Sequence, residues 1–220
     1  MVNKLQLAPS VLSYNSAFLG NAIKEVADAK CEWVHIDIMD GHFVPNLSFG
    51  SQVIKDLKAL EPNLFFDTHL MLDNPQLYIE SFAKAGADLI CVHLEPDYPV
   101  LQCLQEIHLK GCKVGIAINP KTDVSVLYDY LPLADLVLLM SVQAGFGGQK
   151  FNDIVLEKTA QLKKWRDELK LNFRIEVDGG ITLDNVDSVI EAGADTIVSG
   201  TSFFNEPKAF AEKFEALQAK

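Results

Sequence analysis

Four side chains in this sequence could together hold a cation and move a proton: His35, Asp37, His69 and Asp178. His35 and Asp37 belong to "VHIDIMDGHFVPN", residues 34–46, where they alternate with Val34, Ile36 and Ile38. On a strand, that alternation sends imidazole and carboxylate to one face and the aliphatic groups to the other. His69 sits in "LFFDTHLM" and Asp178 in "FRIEVDGG", each near the end of a short apolar run. Two imidazoles and two carboxylates suit one divalent ion such as zinc, iron, manganese or cobalt. Without a shared partner the same four groups would be costly to bury. Each alone has a plainer reading. An isolated His in an apolar strand is commonly a hydrogen-bonded core residue, and an Asp at a strand end is commonly a turn or helix cap. The expectation of a metal site rests on the set. Ser10, Asn119 and Glu176 also stand at strand ends. For His93 and Glu95, spacing leans toward a supporting or structural role. Asp67 could face outward.

Three glycine-rich segments form a second group: "GFGGQ" at 145–149, "DGG" at 178–180 and "SGTS" at 199–202. Glycines let the backbone approach a ligand closely and aim N–H groups at it. Three such turns in successive late units predict a phosphate cradle. Its only cationic side chain is Lys150, which agrees with binding by main-chain dipoles.

These residues need strands that end at one mouth. Eight short runs rich in Val, Ile, Leu and Phe alternate with longer stretches of helical spacing, among them residues 16–29, 74–87, 151–170 and 182–194. That alternation predicts right-handed β-α-β units around a parallel sheet. A weak repeat supports it: "EAGADTIVSG" echoes "KAGADLICVH" and "LADLVLLMS", and Gly86 and Gly193 suit helix C-caps. An open doubly wound sheet usually carries glycines after its first strand, and "APSVLSYNSAF" has none. The reading is therefore α/β, a single (β/α)8 TIM barrel over residues 1–220, with functional groups at the C-terminal strand ends.

The chain has 19 basic and 30 acidic residues, a net charge of −11. Such a balance disfavours nucleic acid and anionic membranes as partners. No segment approaches the ~18 apolar residues of a membrane span. The N-terminal "MVNKLQLAPSVL" does not read as a secretory signal. Cys31, Cys91, Cys103 and Cys112 form no Cys-x-x-Cys pair and read as packed thiols of a reducing cytoplasm.

"APSVLS", "HIDIMDGHFVPN", "THLML", "AGFGGQKF", "EVDGGI" and "GADTIVSGTSFF" occur in an order that resembles the ribulose-phosphate 3-epimerase family, over Ala8 to Phe204. The resemblance implies a barrel enzyme of pentose-phosphate metabolism, acting on a small ketose phosphate with one divalent metal ion. It assigns His35, Asp37, His69 and Asp178 to the metal, and Asp37 and Asp178 to acid–base work. It places Ser10, His69, Met39, Met71, Met140, Gly145, Phe146, Gly147, Gly148, Gly179, Gly180, Gly200 and Thr201 around the substrate. From spacing alone the three methionines read as core. Gln143 and Ala144 stand where the family usually has Asn-Pro, which predicts a less rigid loop. Ser13 to Ser16 also depart from the family's usual sequence and lie near the mouth. The same chemistry on D-allulose 6-phosphate, a metal-dependent hydrolase and a non-catalytic sugar-phosphate binder are the alternatives. Homo-oligomers are common among such barrels, although the sequence marks no surface patch for one.

Overall fold

A computed structural model of the chain describes residues 4–218. Its strands are β1 (Gln6–Pro9), β2 (Trp33–Met39), β3 (Phe65–Met71), β4 (Leu89–His93), β5 (Lys113–Ile118), β6 (Leu136–Met140), β7 (Arg174–Asp178) and β8 (Thr196–Ser199). They pair in parallel in the order β1-β8-β7-β6-β5-β4-β3-β2. A parallel bridge between Ser10 and His35 joins β1 to β2 and completes the ring. The fold is the expected (β/α)8 barrel.

The helices outside the ring are α1 (Leu19–Asp28), α2 (Ser51–Leu60), α3 (Ile79–Ala85), α4 (Val100–Leu109), α5 (Ile154–Glu168), α6 (Val186–Ala192), α7 (Thr201–Asn205) and α8 (Pro207–Gln218). The helical spacing read at 16–29 and 74–87 begins in 3-10 turns, Ser16–Phe18 and Pro75–Leu77. Both helix types put residues three apart side by side, so periodicity does not separate them. The β5–β6 crossover, Val124–Leu133, is 3-10 rather than α and contains Pro132.

Strand residues alternate between two cores, as a barrel buried on both faces requires. Ile36, Ile38, Phe66, Leu70, Ile90 and Ile116 pack outward under the helices. Met39, Met71, Leu89, Cys91, Leu136, Leu138 and Met140 pack into the lumen. Stacked Trp33 and Phe65 rings, 4.1 Å apart, with the Arg174 guanidinium over Trp33, close the lower end.

The Ala-Asp repeat acquires a physical meaning at that lower end. Asp88, just before β4, accepts a hydrogen bond from the Phe66 N–H of β3 at 2.7 Å. Asp135, before β6, accepts from Val114 of β5 at 2.9 Å. Asp195, before β8, accepts from Ile175 of β7 at 3.2 Å. Each carboxylate thus pins the start of its strand to the preceding one. Asp88 also binds Lys58 Nζ at 2.7 Å. Asp88→Ala should cost about 1–3 kcal/mol, or several degrees in Tm. Thermal denaturation checks this, and the distant pocket should keep its ligand affinity.

Candidate active site

Strand register gathers the upper lumen. Asp37 of β2 lies opposite His69 of β3, His35 opposite Asp67, and Met39 opposite Met71. Met140 of β6 lies opposite Asp178 of β7. Because side chains repeat every two residues, one register fixes several pairs at once. One ligand atom from each of His35, Asp37, His69 and Asp178 lies within 4.8 Å of the others. Asp37 Oδ1 is 3.3 Å from His35 Nε2 and 3.2 Å from His69 Nδ1. His35 Nε2 is fully buried and makes no hydrogen bond. An orphaned imidazole nitrogen beside two carboxylates and a second imidazole fits a divalent cation.

Beneath this cluster, His35 Nδ1 lies 2.5 Å from Asp67 Oδ2 and 3.2 Å from Glu176 Oε1. Asp67 is fully buried in the lumen, which corrects the outward alternative. It stands two residues before His69, and period two puts both on one face. Burial, then the Asp67 charge, hold the Glu176 carboxyl well above the ordinary range. On the other side, His69 Nε2 is 2.9 Å from His93 Nε2. His93 Nδ1 is 2.8 Å from Glu95 Oε2. Glu95 Oε1 accepts from the Asn119 N–H at 2.6 Å and the Thr122 hydroxyl at 2.7 Å. Burial lowers the His93 imidazole, keeping it neutral. Burial pushes Glu95 up, but His93, Asn119 and Thr122 outweigh it and bring the carboxyl down to about 2.

The two aspartates that face the pocket differ in proton affinity. Burial works against the Asp37 carboxylate, yet His35 and His69 outweigh it and hold its carboxyl well below the usual range. The Ser10 hydroxyl also donates to Asp37 Oδ2 at 2.6 Å. Burial and the Asp37 charge push Asp178 up to about 7. The two carboxyls thus differ in proton affinity in the absence of an ion. They stand on β2 and β7, three steps apart around the ring through β1 and β8.

Above them opens a pocket of about 640 Å³. Ser10, Asp37, Met39, Met71, Met140, Asp178, Gly179, Gly180, Gly200 and Thr201 line it, with Gly145, Phe146, Gly147 and Gly148 at one side. His35 and His69 are fully buried beneath its floor. The methionines, which spacing alone read as core, are both lumen core and pocket wall. Gly180 adopts φ +63°, and a Cβ there would lie 2.4 Å from the Phe151 backbone nitrogen, so no side chain fits. Of the divergent segment 13–16 only Ser13 reaches the pocket. Tyr14 instead packs edge-on to Phe204 and donates to Glu25, and Asn15 caps a 3-10 turn.

Without the proline, side-chain amides brace the loop at 143–149. Gln149 Nε2 donates to the Gln143 and Phe146 carbonyls, both at 2.8 Å. Asn46 Nδ2 donates to the Gly145 carbonyl at 2.8 Å, and the Ala144 N–H donates to Asn119 Oδ1 at 2.9 Å. Sequence reasoning gave Asn46, Asn119 and Gln149 no such role. Asn119 directly follows β5 in "IAIN" and was visible as a strand-end polar group. Asn46 reaches a loop 99 residues away, and Gln149 folds back on its own loop.

Among the described residues, no helix is long and apolar enough to cross a membrane. All four cysteines are free thiols, three of them buried. Among solved structures of similar fold, 3-hexulose-6-phosphate synthase superposes with a TM-score of 0.69 at 20% identity, covering 97% of this chain and 99% of that one. KGPDC from Streptococcus mutans gives 0.68 at 15%, covering 99% and 98%. Identities this low support the barrel alone. Sequence relatives are much nearer. The ribulose-phosphate 3-epimerase of Synechocystis is 44% identical over 209 residues, spanning 94% of this chain and 90% of that protein. That of Bacillus subtilis is 43% identical over 203 residues, spanning 92% and 93%. That of Escherichia coli K12 is 39% identical over 201 residues, spanning 91% and 89%. The model of the ribulose-phosphate 3 epimerase family matches residues 6–204, and the chain belongs to that family.

Proposed function

We propose that this chain interconverts D-ribulose 5-phosphate and D-xylulose 5-phosphate, and that Asp37 and Asp178 are its acid–base pair. The observation that carries the reading is the placement of two carboxyls, one from β2 and one from β7, on one pocket and within a single cluster with two imidazoles. Epimerisation at carbon 3 removes a proton beside the ketone and returns one to the opposite face. A carboxyl on each face inverts the centre without turning the sugar. Asp37, ionised, takes the proton at carbon 3, with its Oδ2 oriented by the Ser10 hydroxyl. Asp178, protonated, delivers a proton from the other side, and the roles exchange in the reverse direction.

His35, Asp37, His69 and Asp178 are the residues that would hold the divalent ion, whether zinc, iron, manganese or cobalt. Held there, such an ion supplies Lewis-acid stabilisation of the negative charge that develops on the sugar oxygens. Met39, Met71 and Met140 present soft, apolar surface around the reacting carbon and keep water from competing. Gly145 to Gly148, Gly179, Gly180, Gly200 and Thr201 supply backbone amides for the phosphate, far enough from the chemistry to orient the substrate. The chain works as one barrel domain in the cytoplasm, with neither nucleic acid nor membrane as a partner.

Asp37→Asn and Asp178→Asn should each lower kcat at least ~100-fold while the barrel still folds. Proton NMR with ribulose 5-phosphate in heavy water measures this as deuterium entering at carbon 3. An Asp178→Asn enzyme keeping a tenth of parental turnover would refute the two-face scheme. A strong chelator should abolish exchange, and added manganese or cobalt should restore it.

Asp178 also links stability to pH. In the metal-free fold it keeps its proton up to about 7, against an ordinary value of 3.8. Between those values the unfolded chain binds fewer protons at this site than the folded one, so this residue's contribution to stability falls as pH rises. In guanidinium titrations of chelator-treated protein, Asp178→Asn should be more stable than the parent at about pH 8 and no different at about pH 4. A variant that gains nothing at the higher pH would contradict the proton affinity assigned to Asp178.

A further inference from the structure

We propose that His93 and Glu95 are positioning residues that decide which nitrogen of His69 is free to hold the cation. This inference rests on reading His35, Asp37, His69 and Asp178 as metal ligands. His69 faces that cluster with Nδ1, 3.2 Å from Asp37 Oδ1. Its Nε2 lies 2.9 Å from His93 Nε2, and the two rings stack with centroids 5.0 Å apart. A nitrogen–nitrogen contact of that length holds one proton, and either ring could supply it. If His93 supplies it, His69 must accept on Nε2. A neutral His69 then carries its own proton on Nδ1, which faces the cluster and blocks ligation. If His69 supplies it, Nδ1 presents a lone pair to the ion, and His93 must keep its proton on Nδ1.

Glu95 selects the second arrangement. Its Oε2 lies 2.8 Å from His93 Nδ1 and, as a carboxylate, can only accept. The Asn119 N–H and the Thr122 hydroxyl hold its other oxygen at 2.6 and 2.7 Å, so the carboxylate cannot swing away without losing both. Once a cation takes the place of the contact between His69 Nδ1 and Asp37, donation runs in one direction, from His69 to His93 to Glu95. On the side away from the cluster, His35 reaches the carboxylate of Asp67 directly, whereas His69 reaches that of Glu95 through a second imidazole. Partners of this kind fix tautomer and ring orientation, and their loss typically costs 10–100-fold in metal affinity.

Glu95→Gln tests the arrangement at constant shape. Two donors face Oε1 and one faces Oε2, so the amide oxygen turns toward Asn119 and Thr122. Its NH₂ then meets His93, which must accept on Nδ1 and protonate on Nε2, against the proton of His69. Cobalt(II) affinity of the full-length chain, measured by competition with a chelating dye, should fall about 10–100-fold. Tyr98→Phe is the control, because Tyr98 donates only to the His93 backbone carbonyl, at 2.7 Å, and leaves the ring protons alone. Its affinity should stay within about twofold of the parent. Undiminished affinity in Glu95→Gln, or an equal loss in both variants, would overturn the proposal. A parent chain that binds no cobalt would instead overturn the metal reading, and this inference with it. Should Glu95→Gln not fold, nitrogen NMR of the zinc-loaded parent decides: a His93 proton on Nδ1 supports the arrangement, and one on Nε2 refutes it.

Discussion

His35, Asp37, Asp67, His69, His93 and Glu176 are all buried in the lumen of this barrel. Buried charge is tolerated when it is paired and hydrogen-bonded, and the rest of the architecture follows from that demand. The parallel register sets imidazole against carboxylate across neighbouring strands, His35 against Asp67 and Asp37 against His69. Burial and the neighbouring Asp67 raise the proton affinity of Glu176 at the bottom of the cluster, which disfavours a further charge there. Apolar lumen groups such as Leu89, Leu136 and Leu138 belong to the inner core that surrounds this polar set.

The same economy divides the molecule from top to bottom. At the lower end, carboxylates of the repeated Ala-Asp segments satisfy strand N–H groups and contribute only stability. At the upper end, carboxylates face a pocket in which their proton affinities diverge. Identical chemical groups do opposite work because one set is partnered by main-chain donors and cations, and the other by imidazoles and by each other.

Much of this was legible in the sequence. Alternation in "HIDIM" put His35 and Asp37 on one face, and the spacing of strands and helices predicted a barrel whose strand ends share a mouth. The type and order of elements survived, while the helix starts moved where 3-10 turns intervened. The direction of Asp67 was left open although its two-residue step from His69 fixes it. Partnerships between distant loops could not be read. Asn46 reaching Gly145, and Ala144 reaching Asn119, depend on where loops fold back in space. Proton placement was equally hidden, because it depends on burial and on neighbours that only the closed ring brings together.

The ring itself has one thin place. β1 and β2 are joined by the single bridge from Ser10 to His35, whereas β1 and β8 share four aligned residues and β2 and β3 share seven. A hoop yields first at its narrowest weld, and this weld lies between the two strands that carry Ser10 and Asp37. Anything gripped jointly by Asp37 and Asp178 straddles it like a buckle across a belt. Ligand binding by those two residues therefore also ties together the strands on either side of the least-paired seam.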